Sequence, residues 1–399
     1  MSQGDPTFPK LYFIAGEASG DRHAADLLRC LKELYPKVEA YGVGGHHLRS
    51  AGQNQLFDLA IHAVVGLTEV IRNYFKFRGF FKAILKDLET LQPDALILVD
   101  YPGFNLRLAE EVKGRWPKLK IIYYISPQLW AWKSGRSKIM ARTVDLVLVI
   151  FRFEAEWFRK HEPALKVVWV GHPMMDRWKE ISNEKDHASK APRIALLPGS
   201  RSREIRVHLP IMLGAAEKLG RYRQGVSFII LASDAAARKV MEETIAEHSY
   251  QWLQVEIHSG YQLTHLSRCD LALVASGTAT VECCVAGVPM LVIYKVSALT
   301  YWLGRKLIKV PYLGMVNILA GEKVVPEFLQ ERANEEALFE AAREILDKPA
   351  WKSLIKKNLQ KVTQDLGEPG ASARAAEAVQ ELLGAGEGDT TRKTFSAVA

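Results

Sequence analysis

The stretch that decides the fold is Leu271-Ala272-Leu273-Val274-Ala275-Ser276-Gly277-Thr278-Ala279-Thr280-Val281-Glu282. Leu271 to Val274 is a short, unbroken apolar run, the pattern of a parallel strand buried on both faces. Ala279 to Ala286 follows with small apolar residues suited to a helix packed closely on a sheet. Ser276, Gly277 and Thr278 therefore lie where a strand ends and a helix begins. Backbone N–H groups at such a helix start have no partners within the helix, and its dipole favours an anion. Glu282 lies one turn after Thr278 on the same face. N–H groups for phosphates and a carboxylate for ribose hydroxyls suit a nucleotide. The same residues read equally as an ordinary N-cap followed by a solvated Glu.

Strand, polar turn, helix recurs on both sides of this stretch. Arg193 to Leu197 reads as a strand and runs into Pro198-Gly199-Ser200-Arg201-Ser202-Arg203-Glu204, where Arg201, in a Gly-Ser turn at the strand's carboxyl end, suits charge-assisted contacts to a diphosphate. Val226–Leu231, Val255–Ile257 and Val288–Ile293 supply further strands. Near the start, Leu11–Ala15 breaks at Gly16-Glu17-Ala18-Ser19-Gly20-Asp21, and Ala24, Leu27, Leu28, Leu31 and Leu34 then recur at helical spacing. This turn is not G-x-G-x-x-G, which weakens a dinucleotide reading. It sets Glu17, Ser19 and Asp21 at the mouth of the strand, where such sheets bind ligands, although Ser19 and Asp21 also read as helix caps.

Val38–Val43 follows as a second strand. Ala95–Val99 closes on Asp100, and Tyr101-Pro102-Gly103-Phe104-Asn105 turns into the next helix. Ile121–Ile125 leads to Ser126-Pro127-Gln128-Leu129-Trp130-Ala131-Trp132-Lys133, whose tryptophans suit the wall of a site better than a solvated turn. Val144–Ile150 and Val167–Val170 complete the set before Gly171-His172-Pro173, where His172 either lines the site or bonds locally. The polar run Ser182–Pro192 reads as a linker. The expected fold class is α/β, with two doubly wound Rossmann-like domains over residues 1–181 and 193–366, a C-terminal helix over 367–385 and a disordered tail over 386–399.

At 399 residues the chain is long enough for two full cores, and its formal charge of +8 favours anionic partners. Cys30, Cys269, Cys283 and Cys284 show no C-x-x-C pair and no metal-ligand spacing, which points to reduced thiols. The start lacks a signal core, and no apolar run reaches the ~18 residues of a membrane span. Leu67–Leu85 interleaves aliphatic and aromatic residues with Arg72, Lys76, Arg78 and Lys82, and Leu299–Lys309 repeats that character. Both segments read either as surfaces that dip into an anionic bilayer or as amphipathic core helices with a basic face.

The turns G-E-A-S-G-D, D-Y-P-G-F-N, S-P-Q-L-W-A-W-K, G-H-P, L-P-G-S-R-x-x-E and A-S-G-T-A-T-x-E, in this order, resemble those of lipid-A-disaccharide synthases. The resemblance runs from about Leu11 to about Gln364. It implies a GT-B glycosyltransferase whose two domains face a central cleft. The implied reaction is inverting transfer of 2,3-diacylglucosamine from its UDP derivative to 2,3-diacylglucosamine 1-phosphate, on the cytoplasmic face of a Gram-negative inner membrane. It implies that Ser200, Arg201, Ser276, Gly277, Thr278, Glu282 and Asn317 hold UDP. Glu17, Ser19, Asp21, Asp100, Asn105 and Trp132 then face the acceptor, with Asp100, Glu17 and Arg201 the catalytic candidates. The resembling turn is commonly D-x-P-D-F-N, and here its second acid is Gly103.

Arg201 and the helix start at Thr278 supply positive charge toward a leaving diphosphate, and the chain has no D-x-D, so no metal and no other cofactor is expected. A homodimer is compatible with all of this. Rival classes are another UDP-sugar transferase or epimerase of the same fold, and a non-catalytic nucleotide binder. The basic apolar segments favour a lipid substrate over a soluble sugar. Basic residues spread along the chain, without a nucleic-acid module, argue against nucleic acid.

Overall fold

The structure is a computed structural model and describes residues 8–58, 70–181, 191–247, 253, 255–260, 262–297, 301–302 and 310–384. The proposed linker after Ile181, most of the Leu299–Lys309 segment, Leu67 to Glu69, and the tail beyond Gly384 lie outside the described residues.

The chain divides into two compact units. The first takes residues up to Pro127, Gly135–Val170 and residues from Ser372 on; the second takes Gln128–Ser134 and Gly171–Ala371. Helix Ala371–Gly384 thus groups with the first unit from Ser372, and Met174–Ile181 with the second.

The first unit is built on a seven-stranded parallel sheet of β1 (Lys10–Ala15), β2 (Glu39–Gly44), β3 (Asn54–Asp58), β4 (Ala95–Val99), β5 (Lys120–Tyr124), β6 (Leu146–Val149) and β7 (Val167–Trp169). Its order is β3-β2-β1-β4-β5-β6-β7. Its helices include α1 (Ala18–Leu34), α2 (His46–Ser50), α3 (Val70–Leu91), α4 (Pro102–Arg115), α5 (Ser137–Thr143) and α6 (Arg152–His161). The central strands are apolar because helices cover a parallel sheet on both faces: every residue of β4 and of β6 is buried. Strand β3 and helix α2 escape the sequence reading because both are short and polar.

The second unit carries a six-stranded parallel sheet of β8 (Arg193–Leu197), β9 (Ser227–Ala232), β10 (Val255–Ser259), β11 (Leu271–Ala275), β12 (Met290–Tyr294) and β13 (Glu327–Leu329), in the order β10-β9-β8-β11-β12-β13. Helices α7 (Met174–Ile181), α8 (Ser202–Tyr222), α9 (Ala235–Ala246), α10 (Gln262–Leu266) and α11 (Thr278–Val285) belong to it, with Met315–Ala320, Glu335–Asp347 and Pro349–Gln364 after them.

Numbered from their own first strands, the sheets run 3-2-1-4-5-6-7 and 3-2-1-4-5-6, the doubly wound order of the GT-B type expected above. The order reverses between β1 and β4 in one unit and between β8 and β11 in the other. At such a point the connections leave to opposite faces and open a crevice at the carboxyl ends. The registers Ala15↔Val99 and Leu197↔Val274 put Gly16 beside Asp100, and Pro198 beside Ala275. The turns singled out from sequence stand at these two reversals.

Candidate functional site

In the first unit the site is built around Asp100. Asp100 and Tyr101 both have φ of 48°, and Ile125, at the end of neighbouring β5, has φ of 62°. Left-handed backbone is strained for non-glycine residues, most of all for a β-branched one, and such strain of roughly 1–3 kcal/mol each collects at functional sites. The conformation of Asp100 is locked through its carbonyl oxygen, which accepts from the Tyr123 hydroxyl at 2.6 Å and from Asn105 Nδ2 at 2.7 Å. Tyr123 is fully buried; burial, and then the charge of Asp100, push its hydroxyl pKa well up, so it remains a donor. The Asp100 side chain itself is half-buried.

Helix α1 begins against this lock. A Cβ on Gly16 would lie 2.5 Å from the Tyr101 ring, so only glycine lets the ring rest there. A Cβ on Gly20 would lie 4.0 Å from that of Asp100. Glu17 is the N-cap residue of α1, and its charge, after burial, raises the Tyr101 pKa. Glu17, Asp100 and Tyr101 are thus brought together, with Ser19 exposed on the first turn of α1.

Two first-unit candidates have other tasks. Asp21 is buried, and its carboxylate accepts from the backbone N–H groups of Gly45 at 2.7 Å, His47 at 2.9 Å and Leu48 at 3.2 Å. It caps α2, a neighbouring helix, rather than facing a substrate. Asn105 is fully buried, with Nδ2 given to the Val99 and Asp100 carbonyls. It acts on the site only by holding Asp100. Gly103 is exposed, and a Cβ there would have open space around it.

In the second unit, Arg201 is the N-cap residue of α8, with its side chain 66% exposed and an ion pair to Glu204 at 3.4 Å. Gly199 has φ of +115° and carries Glu204 packed against it, which folds the L-P-G-S-R turn back over the first turn of α8. Ser200, Gly277 and Thr278 are exposed and Glu282 is half-buried. The Ser276 hydroxyl donates to the Leu313 carbonyl at 2.8 Å. Loop 313–314 is held in turn by Glu327, whose carboxylate accepts from Leu313 N at 3.2 Å and Gly314 N at 2.9 Å.

Asn317 is the second-unit candidate whose place differs from expectation. It lies on helix Met315–Ala320 and is fully buried, where the resemblance implied a contact to UDP. Its Nδ2 donates to Val325 O and Glu327, and its Oδ1 accepts from Val324 N and Val325 N. With all its bonds made inside the unit, it shapes the loop beside Ser276 and presents no amide to a ligand. Trp132, 40% exposed under the Lys133 ammonium at 4.1 Å, lies in the segment that groups with the second unit.

Sequence reading missed Tyr123, Glu327 and His208. His208 is buried in α8; its Nδ1 donates to Pro198 O at 3.0 Å and its Nε2 accepts from Lys295 N at 3.0 Å, which ties the ends of β8 and β12 together. Burial lowers its pKa, consistent with the neutral ring these bonds require. His172 is also buried, and burial brings its pKa down to about 3; Met174 N donates to its Nδ1 at 3.2 Å, a local role. None of the three carries a pattern signal, since each reads in sequence as one more core or surface residue.

The family model described as lipid-A-disaccharide synthetase matches residues 11–382. Lipid-A-disaccharide synthase 1 of Legionella pneumophila (strain Paris) is 43% identical over 340 residues, covering 83% of this chain and 86% of its own. The lipid-A-disaccharide synthase of Geobacter metallireducens is 36% identical over 382 residues, covering 94% and 97%. Among solved structures, the S. aureus MnaA–UDP co-structure superposes with a TM-score of 0.65 at 14% identity over 94% of this chain and 97% of that one. CalG4, the calicheamicin glycosyltransferase, gives 0.60 at 14% identity over 94% and 98%. At such identities these two likenesses concern the fold alone.

Proposed function

The chain belongs to the lipid-A-disaccharide synthase family and is a hexosyltransferase of lipid A biosynthesis; from that premise we propose how its two carboxyl-end crevices divide the work. The second unit binds UDP-2,3-diacylglucosamine. The exposed turn Ser276–Thr278 offers N–H groups to the diphosphate, Glu282 takes ribose hydroxyls, and Arg201, with Ser200, stabilises the charge that grows on departing UDP. The first unit binds 2,3-diacylglucosamine 1-phosphate, and Asp100 removes the proton from its attacking hydroxyl in a single, inverting displacement. Glu17, beside Tyr101, is the competing base.

The observation that carries this assignment is the strained, doubly locked Asp100 at the β1/β4 reversal. A carboxylate held in a fixed place by two donors to its own carbonyl is pre-positioned for proton transfer. Asp21, Asn105 and Asn317 act as scaffolding and do not touch substrate in this scheme.

The enzyme works at the cytoplasmic face of the inner membrane, where both lipid substrates reside. Among the described residues no helix is long and apolar enough to cross a membrane. The basic face of α3, with Arg78 and Lys82 exposed, supports peripheral docking on anionic lipids. Incubating the purified protein with UDP-2,3-diacylglucosamine and 2,3-diacylglucosamine 1-phosphate tests the scheme. Equimolar UDP and disaccharide 1-phosphate are expected, and release of neither removes the reading.

A further inference from the structure

The second unit carries a carboxylate to which the scheme above gives no part in binding. Glu327 opens β13 and pairs with Val292 of β12, so the sheet fixes its backbone. Its half-buried side chain accepts from three donors. Leu313 N reaches Oε2 at 3.2 Å, while Gly314 N at 2.9 Å and Asn317 Nδ2 at 2.8 Å share Oε1. A Cβ on Gly314 would lie 3.1 Å from Oε1, so glycine lets the carboxylate come this close.

The contact reaches the nucleotide turn through one peptide unit. In the Leu313–Gly314 peptide the N–H donates to Glu327, and the C=O accepts the Ser276 hydroxyl at 2.8 Å. A trans peptide holds its N–H and C=O in opposite directions in one plane, so fixing one end fixes the other. Turning this unit over would set the Leu313 carbonyl against the Glu327 carboxylate, and the two like-signed oxygens oppose it. Ser276 spends both of its donors inside the unit, since its N–H goes to Ile293 O at 3.1 Å. The next two N–H groups, of Gly277 and Thr278, have no partner within the helix they open and donate to nothing else among the described residues. Ser276 is thus the fixed post beside two unspent donors.

We propose that Glu327 is a positioning residue of the nucleotide site: through the Leu313–Gly314 peptide and Ser276 it sets the Gly277 and Thr278 N–H groups for a diphosphate. The proposal rests on the assignment of UDP to this unit. Three donors spread over both oxygens need a head group that only accepts, which a carboxylate is and an amide is not. Glu327→Gln keeps the size of the side chain but turns an NH2 toward either Leu313 N or the pair Gly314 N and Asn317 Nδ2, donor against donor. The peptide then loses one of its two anchors, and Ser276 loses a fixed acceptor. The consequence belongs to the diphosphate rather than to the nucleoside, because backbone N–H groups at a helix start suit phosphate oxygens.

Kd is measured by calorimetry for UDP and for uridine on the full chain, with the parent, Glu327→Gln, Ser276→Ala and the double variant. Glu327→Gln and Ser276→Ala are each expected to raise the Kd for UDP about 3- to 30-fold and to leave that for uridine unchanged. In the Ser276→Ala background, Glu327→Gln should move the Kd for UDP by less than about two-fold, because the tie is already cut. An unchanged Kd for UDP in Glu327→Gln overturns the positioning role. So does an equal rise for UDP and uridine, which marks a merely structural lesion. A full effect of Glu327→Gln in the Ser276→Ala background overturns it as well, since Glu327 would then act by another route. Should Glu327→Gln fail to fold, Glu327→Asp, which keeps two acceptor oxygens on a shorter stem, is measured in the same way. A rise for UDP alone supports the role, and parental values overturn it. A parent that does not bind UDP sinks the assignment of the nucleotide to this unit, whereas a parent that binds UDP with the variants unmoved sinks the positioning role alone.

Discussion

Arg201 and Asn317 were both assigned to the diphosphate pocket from sequence, and their surroundings separate them. Arg201 is a solvent-facing N-cap whose ion pair to Glu204 is long, at 3.4 Å, so its removal leaves the core untouched. Arg201→Ala is expected to keep its Tm while losing about 2–4 kcal/mol of transition-state stabilisation, read as a fall in kcat. Unchanged kinetics would take Arg201 out of the site. Asn317→Ala should behave in the opposite way. It strands the buried N–H of Val325, leaves Val324 N with the Glu322 carbonyl alone and removes one donor to Glu327, at about 1–3 kcal/mol in stability, so its melt falls along with any loss of activity. A parental Tm for Asn317→Ala would contradict the scaffold role. The residue types were legible in the sequence; their partners were not. An Asn or Asp after a strand can meet a ligand, cap its own helix or cap another, and only tertiary placement gave Asp21 to α2 and Asn105 to the Asp100 carbonyl.

Helix α3 shows the same division at the scale of an element. From Arg78 onward its side chains are described, and Phe80 stacks on Phe57 at 4.6 Å while Phe81 meets Phe104 edge-on at 5.6 Å. Ile84, Leu85 and Leu88 are buried. This half of the helix is therefore packed into its own unit, and the aromatic–basic pattern that suggests a bilayer equally describes a core helix with a basic rim. Replacing Phe80 and Phe81 with Ser is expected to lower stability on the order of 2–4 kcal/mol, seen in a thermal melt. Replacing Arg72, Lys76 and Arg78 with Glu should spare the melt and weaken co-sedimentation on anionic liposomes. Parental liposome binding by the Glu variant would remove α3 from the membrane surface.

The segment Gly171-His172-Pro173 makes a pH prediction. His172 is held neutral, with its pKa lowered from 6.5 to about 3 by burial, so the unfolded chain takes up its proton first as the pH falls. Its contribution is complete above about pH 6.5 and is lost progressively toward pH 3, by up to about 1.4 kcal/mol per pH unit. His172→Gln, if it folds, should flatten the acid limb of Tm against pH, and an unaltered slope would contradict the assignment.

For the whole molecule, most of the fold was legible because parallel strands buried on both faces write themselves as apolar runs. The runs around Leu11, Ala95, Arg193 and Leu271 became β1, β4, β8 and β11, the strands flanking both order reversals. What sequence could not supply was the second layer: Tyr123, His208 and Glu327 sit in ordinary patterns and gain meaning only from the carbonyls and N–H groups they meet. Gly103 was legible as a departure but not in its consequence. It stands in the first turn of α4 with open space around it, so Gly103→Asp is expected to fold with an equal or higher Tm, because an acid there favours the helix start by about 0.3–1 kcal/mol. A lower Tm would mean that the turn cannot accept the side chain.

The account turns on a base in one unit and a nucleotide site in the other. Asp100→Asn keeps the shape, and the bonds from Tyr123 and Asn105 go to a backbone carbonyl that this change does not touch. Turnover and UDP affinity measured together on that variant test the division directly. The predicted result is a roughly 10²–10⁴-fold loss of turnover with the Kd for UDP unchanged, and turnover within a few-fold of the parent would contradict it and pass the role to Glu17.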